Sequence, residues 1–136
     1  MSNSAGPNYA NGVISVDMVT TPATAQTGFS GLTTGSSGMT LVAAGTTNGK
    51  RINRASWIQT AAAAAGVINW WYNPSSTTAI LLASTVVAAQ TPSTTVAAEK
   101  VTEPSLVGFV IPTGANIYVT STIAQAGAAC IEGAAF

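Results

Sequence analysis

From Met39 onward the chain is interrupted at roughly ten-residue intervals by turn-forming Gly, Pro and Asn residues, the spacing of short strands rather than helices. Between the interruptions lie candidate strands, 39–43, 51–59, 67–73, 79–88, 96–102, 106–111, 117–122 and 128–132, of which 67–73 is strong by its aromatic and β-branched content. Segment 79–88 is the most hydrophobic of them. One more, 13–19, precedes the series and alternates, with Ile14, Val16 and Met18 on one face and Ser15 and Asp17 on the other. About eight to nine short antiparallel strands predict an all-β chain, a single jelly-roll-like β-sandwich. Gly45-Thr46-Thr47-Asn48-Gly49 reads as a hairpin turn, and further turns fall at 73–76, 91–93 and 112–114. Within 51–59, Ala55 and Trp57 share one parity and Ile52 has the other, which predicts a bulge or a change of register. The alanines at 61–65 favour one helical turn, but Gly66 ends it too early for a stable helix.

Residues 20–38 differ in composition. Thr, Ser and Gly dominate, and Phe29 and Leu32 are the large apolar side chains, too few for a core. The expected organisation is an N-terminal strand and Thr/Gly-rich arm over 1–38, then the sandwich domain over 39–136. The arm is expected to order against a neighbouring subunit through Phe29 and Leu32. The alternative is a long loop lying on its own domain. Gly35-Ser36-Ser37-Gly38 lacks the Lys-Ser/Thr ending of a phosphate loop and reads as loop.

Charge is scarce: Lys, Arg, Asp and Glu make up 6% of the chain, where an average domain carries roughly 25%. A neutral surface so poor in charge favours association, so a homo-oligomer is expected. Zero net charge argues against nucleic acid, whose phosphates need a surplus of Lys and Arg. With no His and one Cys, neither a Cys/His metal site nor a His-dependent triad or dyad can be assembled. Asp17, Glu99, Glu103 and Glu132 leave a two-carboxylate hydrolase as the remaining catalytic option. Solvated surface acids are the expected alternative, so neither enzyme activity nor a cofactor is expected. Cys130, with no partner for an intrachain disulfide, reads as a small buried residue.

Residues 55–98 carry no charge. Within them 55–72 mimics a membrane helix, with basic residues before it and aromatics at its end. Ser56, Gln59, Thr60, Gly66 and Asn69 interrupt it, so no span is expected. The first nine residues have no basic region and no apolar stretch, the expectation for a chain made and kept in the cytoplasm.

Two clusters stand out as candidate contact residues. In a strand, Trp70 and Tyr72 share one face and Trp71 takes the other. That fits a strand covered on both sides, by its own domain or by another subunit, where Trp and Tyr serve as anchors. A carbohydrate-stacking platform would need carboxylates and amides, few of which lie nearby. Lys50, Arg51 and Arg54 place three of the four basic residues within five positions. They are too few for sequence-independent phosphate binding and suit salt bridges to acidic groups of a partner protein.

Several motifs occur in a telling order: Asn48-Gly49-Lys50-Arg51-Ile52-Asn53-Arg54, then Ala65-Gly66-Val67-Ile68 leading to an aromatic strand that ends Tyr72-Asn73. Thr91-Pro92-Ser93 and Leu106 with Ile111-Pro112-Thr113-Gly114 follow. Together they resemble a family of small virion structural proteins of tailed bacteriophages and prophages, over about residues 45–132. Asn73-Pro74 stands where that family has an Asp-Gly turn, and the strand after Arg54 is poorer in Ile and Arg. The resemblance implies a capsid decoration (cement) protein, made in the host cytoplasm and bound on the virion's capsid surface. It implies a homotrimer whose partner is the major capsid protein, with no role for nucleic acid or membrane. The expected interface residues are Phe29, Leu32, Lys50, Arg51, Arg54, Trp70, Trp71 and Tyr72. A tail or fibre module binding a host receptor or glycan is the alternative. A cellular carbohydrate-binding or adhesin-like domain would need export.

Overall fold

The computed structural model describes residues 14–20, 25–26, 38–74, 78–124 and 127–136. Among them the β-branched and aromatic runs form nine strands: β1 (Ile14–Thr20), β2 (Thr40–Ala44), β3 (Lys50–Gln59), β4 (Gly66–Asn73), β5 (Ile80–Val87), β6 (Lys100–Thr102), β7 (Val110–Ile111), β8 (Asn116–Ser121) and β9 (Gly127–Ala135). A 3₁₀ turn (Pro104–Leu106) lies between β6 and β7.

The strands build two antiparallel sheets, ordered β1-β9-β3-β6 and β2-β8-β4-β5, with β7 attached to β3. Their pairings nest: β4 with β5, β3 with β6, β2 with β8 and β1 with β9. One long hairpin folded over on itself makes this pattern, its tip between β4 and β5. The result is a double-sheet jelly roll, the architecture that the strand spacing predicts.

Local signals are resolved by the nesting. Residues 45–49 turn the chain but make no hairpin, because β2 and β3 lie in different sheets. The Gly49 N–H donates to the Thr46 carbonyl at 3.1 Å, and its φ of +96° is one that glycine adopts without strain. The turn therefore carries the chain from one sheet to the other. The alanine run forms no helical turn: Ala63 instead exchanges two backbone bonds with Gln90, each 3.0 Å. Segment 96–102 is a strand only at Lys100–Thr102, and 106–111 divides between the 3₁₀ turn begun by Pro104 and the short β7.

The irregularity expected near Ile52 is present as a register shift between Ile52 and Arg54 against β9. It puts Ile52 on the same inward face as Ala55 and Trp57 despite their different parity. These side chains, with Ala129 and Ile131 of β9, pack against Ile68, Trp70, Ile117 and Val119 of the other sheet. Gly127 is required at this contact, since a Cβ there would lie 2.1 Å from the Trp57 ring.

The strand grouped by composition with the arm is an edge of the first sheet, in register with β9 from Ile14↔Ala134 to Thr20↔Ala128. Asp17 turns inward: it lies opposite Ile131, a core residue. Val16 and Met18 consequently point outward and are exposed.

Candidate interaction surface

The basic cluster does not act as a unit. Lys50 begins β3 on its inward face and is 3% exposed, ion-paired with Asp17 of β1. A lysine buried to this degree needs such a partner. Arg54 lies opposite Glu132 of β9 on the outer face of the same sheet and is ion-paired with it. The Glu132 carboxylate raises the Arg54 pKa, by its hydrogen bond first and its charge second. Arg51 is exposed and has no ion pair among the described residues. Lys50 and Arg54, expected to reach a partner protein, are thus engaged within the chain, because β1 and β9 bring acidic residues beside them.

The tryptophans are likewise internal. Trp70 is fully buried in the inter-sheet core, and its indole N–H donates to Thr85 Oγ1 at 2.9 Å. The Thr85 hydroxyl in turn donates to Glu103 Oε2 at 2.7 Å. Glu103 caps the 3₁₀ turn, accepting from the Ser105 N–H at 3.1 Å and from the Ser105 hydroxyl. Burial pushes the Glu103 pKa up, but the bonds from Ser105 and Thr85 outweigh it and hold the carboxyl below its ordinary value. Glu103 is therefore a buried, solvated-by-protein carboxylate rather than the surface acid that the sequence suggests.

Trp71 occupies the opposite face, as the alternation predicts, and packs with Ala79, Met39 and Tyr118. Its indole N–H donates to Thr120 Oγ1 at 2.8 Å. The Thr120 hydroxyl donates to Gln26 Oε1, which also accepts from Asn69 Nδ2 at 2.8 Å. Ser84 donates to Asn69 Oδ1 at 2.6 Å, and the Gln26 N–H to the Ser121 carbonyl at 2.7 Å. Both indoles, expected as anchors for another subunit, are thus buried within the chain itself. Tyr72 is half-buried and meets the Phe109 ring edge-on, with centroids 5.5 Å apart. Gln26 belongs to the arm, and at this point the arm docks on its own sheet. Phe29 and Leu32 lie outside the described residues.

Several large apolar side chains are exposed on the sandwich. Val16 and Met18 of β1 and Leu41 of β2 lie along one side, and Ile80, Leu81 and Val86 of β5 along the other. Sequence reasoning missed the second group, since hydrophobicity in 79–88 signals burial and only the topology reveals an edge. Cys130 is free and buried; burial first, then the nearby Glu132 charge, pushes its thiol pKa up. Among the described residues no group of three or more His, Cys, Asp or Glu could hold a metal ion, and no helix is long and apolar enough to cross a membrane. The fold and surface define a jelly-roll module with large apolar side chains exposed on its edge strands. No family model, no curated protein and no solved structure matches the chain.

Proposed function

We propose that this chain is a non-enzymatic structural protein of a bacteriophage virion, a decoration (cement) protein that bridges capsomers on the head. It acts there as a homo-oligomer, for which the family resemblance implies a trimer, against the major capsid protein. The observation that carries this reading is the division of the surface: apolar side chains are exposed on edge strands, while Lys50, Arg54, Asp17, Glu132 and Glu103 are engaged within the chain. Such a surface suits lasting burial against other subunits. Jelly rolls also build lectins, and a fold alone does not select a function. The motifs at 48–54, 65–73, 91–93 and 106–114 favour the virion reading. The mechanism is mechanical: area buried between capsomers opposes internal pressure on the shell.

Attachment of this kind depends weakly on salt, because screening acts on exposed charge pairs. The test is retention of the chain on purified phage particles, identified by mass spectrometry, across a salt series, then heat challenge of particles with and without it. Retention at high salt and lower heat resistance of particles lacking the chain are expected. Release at moderate salt, or unchanged heat resistance, overturns the cement role and favours a tail or fibre module.

A further inference from the structure

A two-sheet sandwich has four edges, here β1 and β6 in one sheet, with the two-residue β7 continuing the β6 edge, and β2 and β5 in the other. An edge strand offers unpaired N–H and C=O groups to any strand that reaches it, and folded proteins blunt such edges with charge, shortness, proline or bulges. Three of the four are blunted. β1 turns the charged Asp17 inward to Lys50. β6 has three residues, one of them Lys100, and Pro104 follows closely. β2 has five residues and a register shift between Leu41 and Ala43.

The fourth edge is different. β5 has eight residues, Ile80-Leu-Leu-Ala-Ser-Thr-Val-Val87, with no charge and no proline. A register shift beside Leu81 and Ala83 interrupts it once, leaving Ala83–Val87 as a regular run. Its outer edge pairs with no further strand among the described residues. Ile80 is 54% exposed and Val86 73% exposed. The uncharged stretch 55–98 extends well past both ends of the strand.

We infer that the free edge of β5 is a self-association seam, which pairs antiparallel with β5 of a second copy about a two-fold axis. The absence of charge singles out a second copy as the occupant. In an isologous contact each patch meets its own copy, so any charge near the axis meets its like, and β5 offers none. Main-chain hydrogen bonds supply the pairing and the exposed Ile80, Leu81 and Val86 supply apolar contact across it. Two four-stranded sheets then become one continuous sheet. The inference does not depend on the virion reading, and its two-fold differs from the trimer that the resemblance implies, so the two can fail separately.

Native mass spectrometry and sedimentation of the full chain at micromolar concentration test it. The expected mass is twice the 13.5 kDa of the chain. Ile80→Lys with Val86→Lys, both at exposed positions, places like charges across the axis and should weaken association at least tenfold while circular dichroism stays that of a β-sandwich. Met18→Lys, 63% exposed on the opposite side, should leave the dimer intact. Hydrogen exchange of the unsubstituted chain gives an independent readout should the double variant misfold. Outward β5 amides should be protected at high concentration and lose that protection on dilution. A monomer, a trimer, a dimer indifferent to the double substitution, or β5 amides that exchange alike at both concentrations overturns the inference.

Discussion

Adjacent tryptophans on β4 make the same local contact on opposite faces of one sheet, and the contacts end differently. Each indole N–H finds a threonine hydroxyl on a neighbouring strand, Thr85 of β5 for Trp70 and Thr120 of β8 for Trp71. A buried indole needs such an acceptor, and the hydroxyl must then donate onward. Inside the sandwich it donates to Glu103, a carboxylate fixed by the 3₁₀ turn. Outside, it donates to Gln26, an amide brought by the segment that precedes β2. The inner chain of bonds thus depends on the two sheets being stacked. The outer one depends on Gln26 lying against a finished sheet. What covers Trp70 is the inter-sheet core; what meets Trp71 is a small cluster of Ala79, Met39 and Tyr118, with Gln26 beyond Thr120.

The largest separation between the faces should appear on truncating the rings. Trp70→Ala opens a void in the inter-sheet core and should cost about 3–5 kcal/mol in denaturant unfolding. Trp71→Ala, in a cluster formed with Ala79, Met39 and Tyr118, should cost about 2–3 kcal/mol, at the low end for a large-to-small change, since that cluster is small and lies outside the inter-sheet core. Equal costs would show that the outer face is packed as firmly as the core, and the comparison would lose its basis.

The terminal acceptors differ in charge, which gives a second way to separate the faces. Glu103→Ala leaves the Thr85 and Ser105 donors without their acceptor and should cost about 2 kcal/mol. Because hydrogen bonds hold the Glu103 pKa below its ordinary 4.5, ionised Glu103 stabilises the fold fully above the ordinary carboxylate range. That contribution is lost as pH falls through 4.5 towards the lowered value. Unfolding measured across this range should show the unsubstituted chain losing more stability in acid than Glu103→Gln. Gln26→Ala carries no such dependence. Parallel pH curves for Glu103→Gln and the unsubstituted chain would remove the carboxylate from the inner network.

The opposing directions of Trp70 and Trp71 are legible in the sequence because a strand has a period of two, and so is the bulge beside Ile52. Their acceptors are not. Thr85 is the single threonine of the hydrophobic segment 79–88, Thr120 is one of two in 117–122, and they lie 15 and 49 residues away along the chain. Only the nested pairing selects them. The same holds for the charges: Lys50 and Asp17 are 33 residues apart, Arg54 and Glu132 are 78 apart. Clustered basic residues therefore suggest an outward site where the register supplies two internal ion pairs. The apolar character of β5 is plain from composition, but composition does not distinguish a central strand from an edge. Strand number and spacing are local properties; neighbour, edge and partner belong to the topology.

The smallest effect should come from the outer acceptor itself. Gln26→Ala removes one amide from a network in which Asn69 still holds the Ser84 hydroxyl and the residue-26 N–H still reaches the Ser121 carbonyl. Gln26 Oε1 accepts from both Thr120 and Asn69, but water can take over these donors at a face not enclosed by a second sheet, so the cost should stay near 0.5–1.5 kcal/mol, below that of leaving two buried donors unpaired. Its signature should be local rather than global. Exchange of the residue-26 amide, which donates to the Ser121 carbonyl, and fluorescence of Trp71 should change, while the environment of Trp70 stays as it was. Trp70 and Trp71 can be followed separately by placing the substitution in Trp70→Phe and Trp71→Phe backgrounds. A loss that unfolds the inner core together with the outer face would mean that the Gln26 contact and the sandwich form one cooperative unit, with the two tryptophans reporting on a single structure.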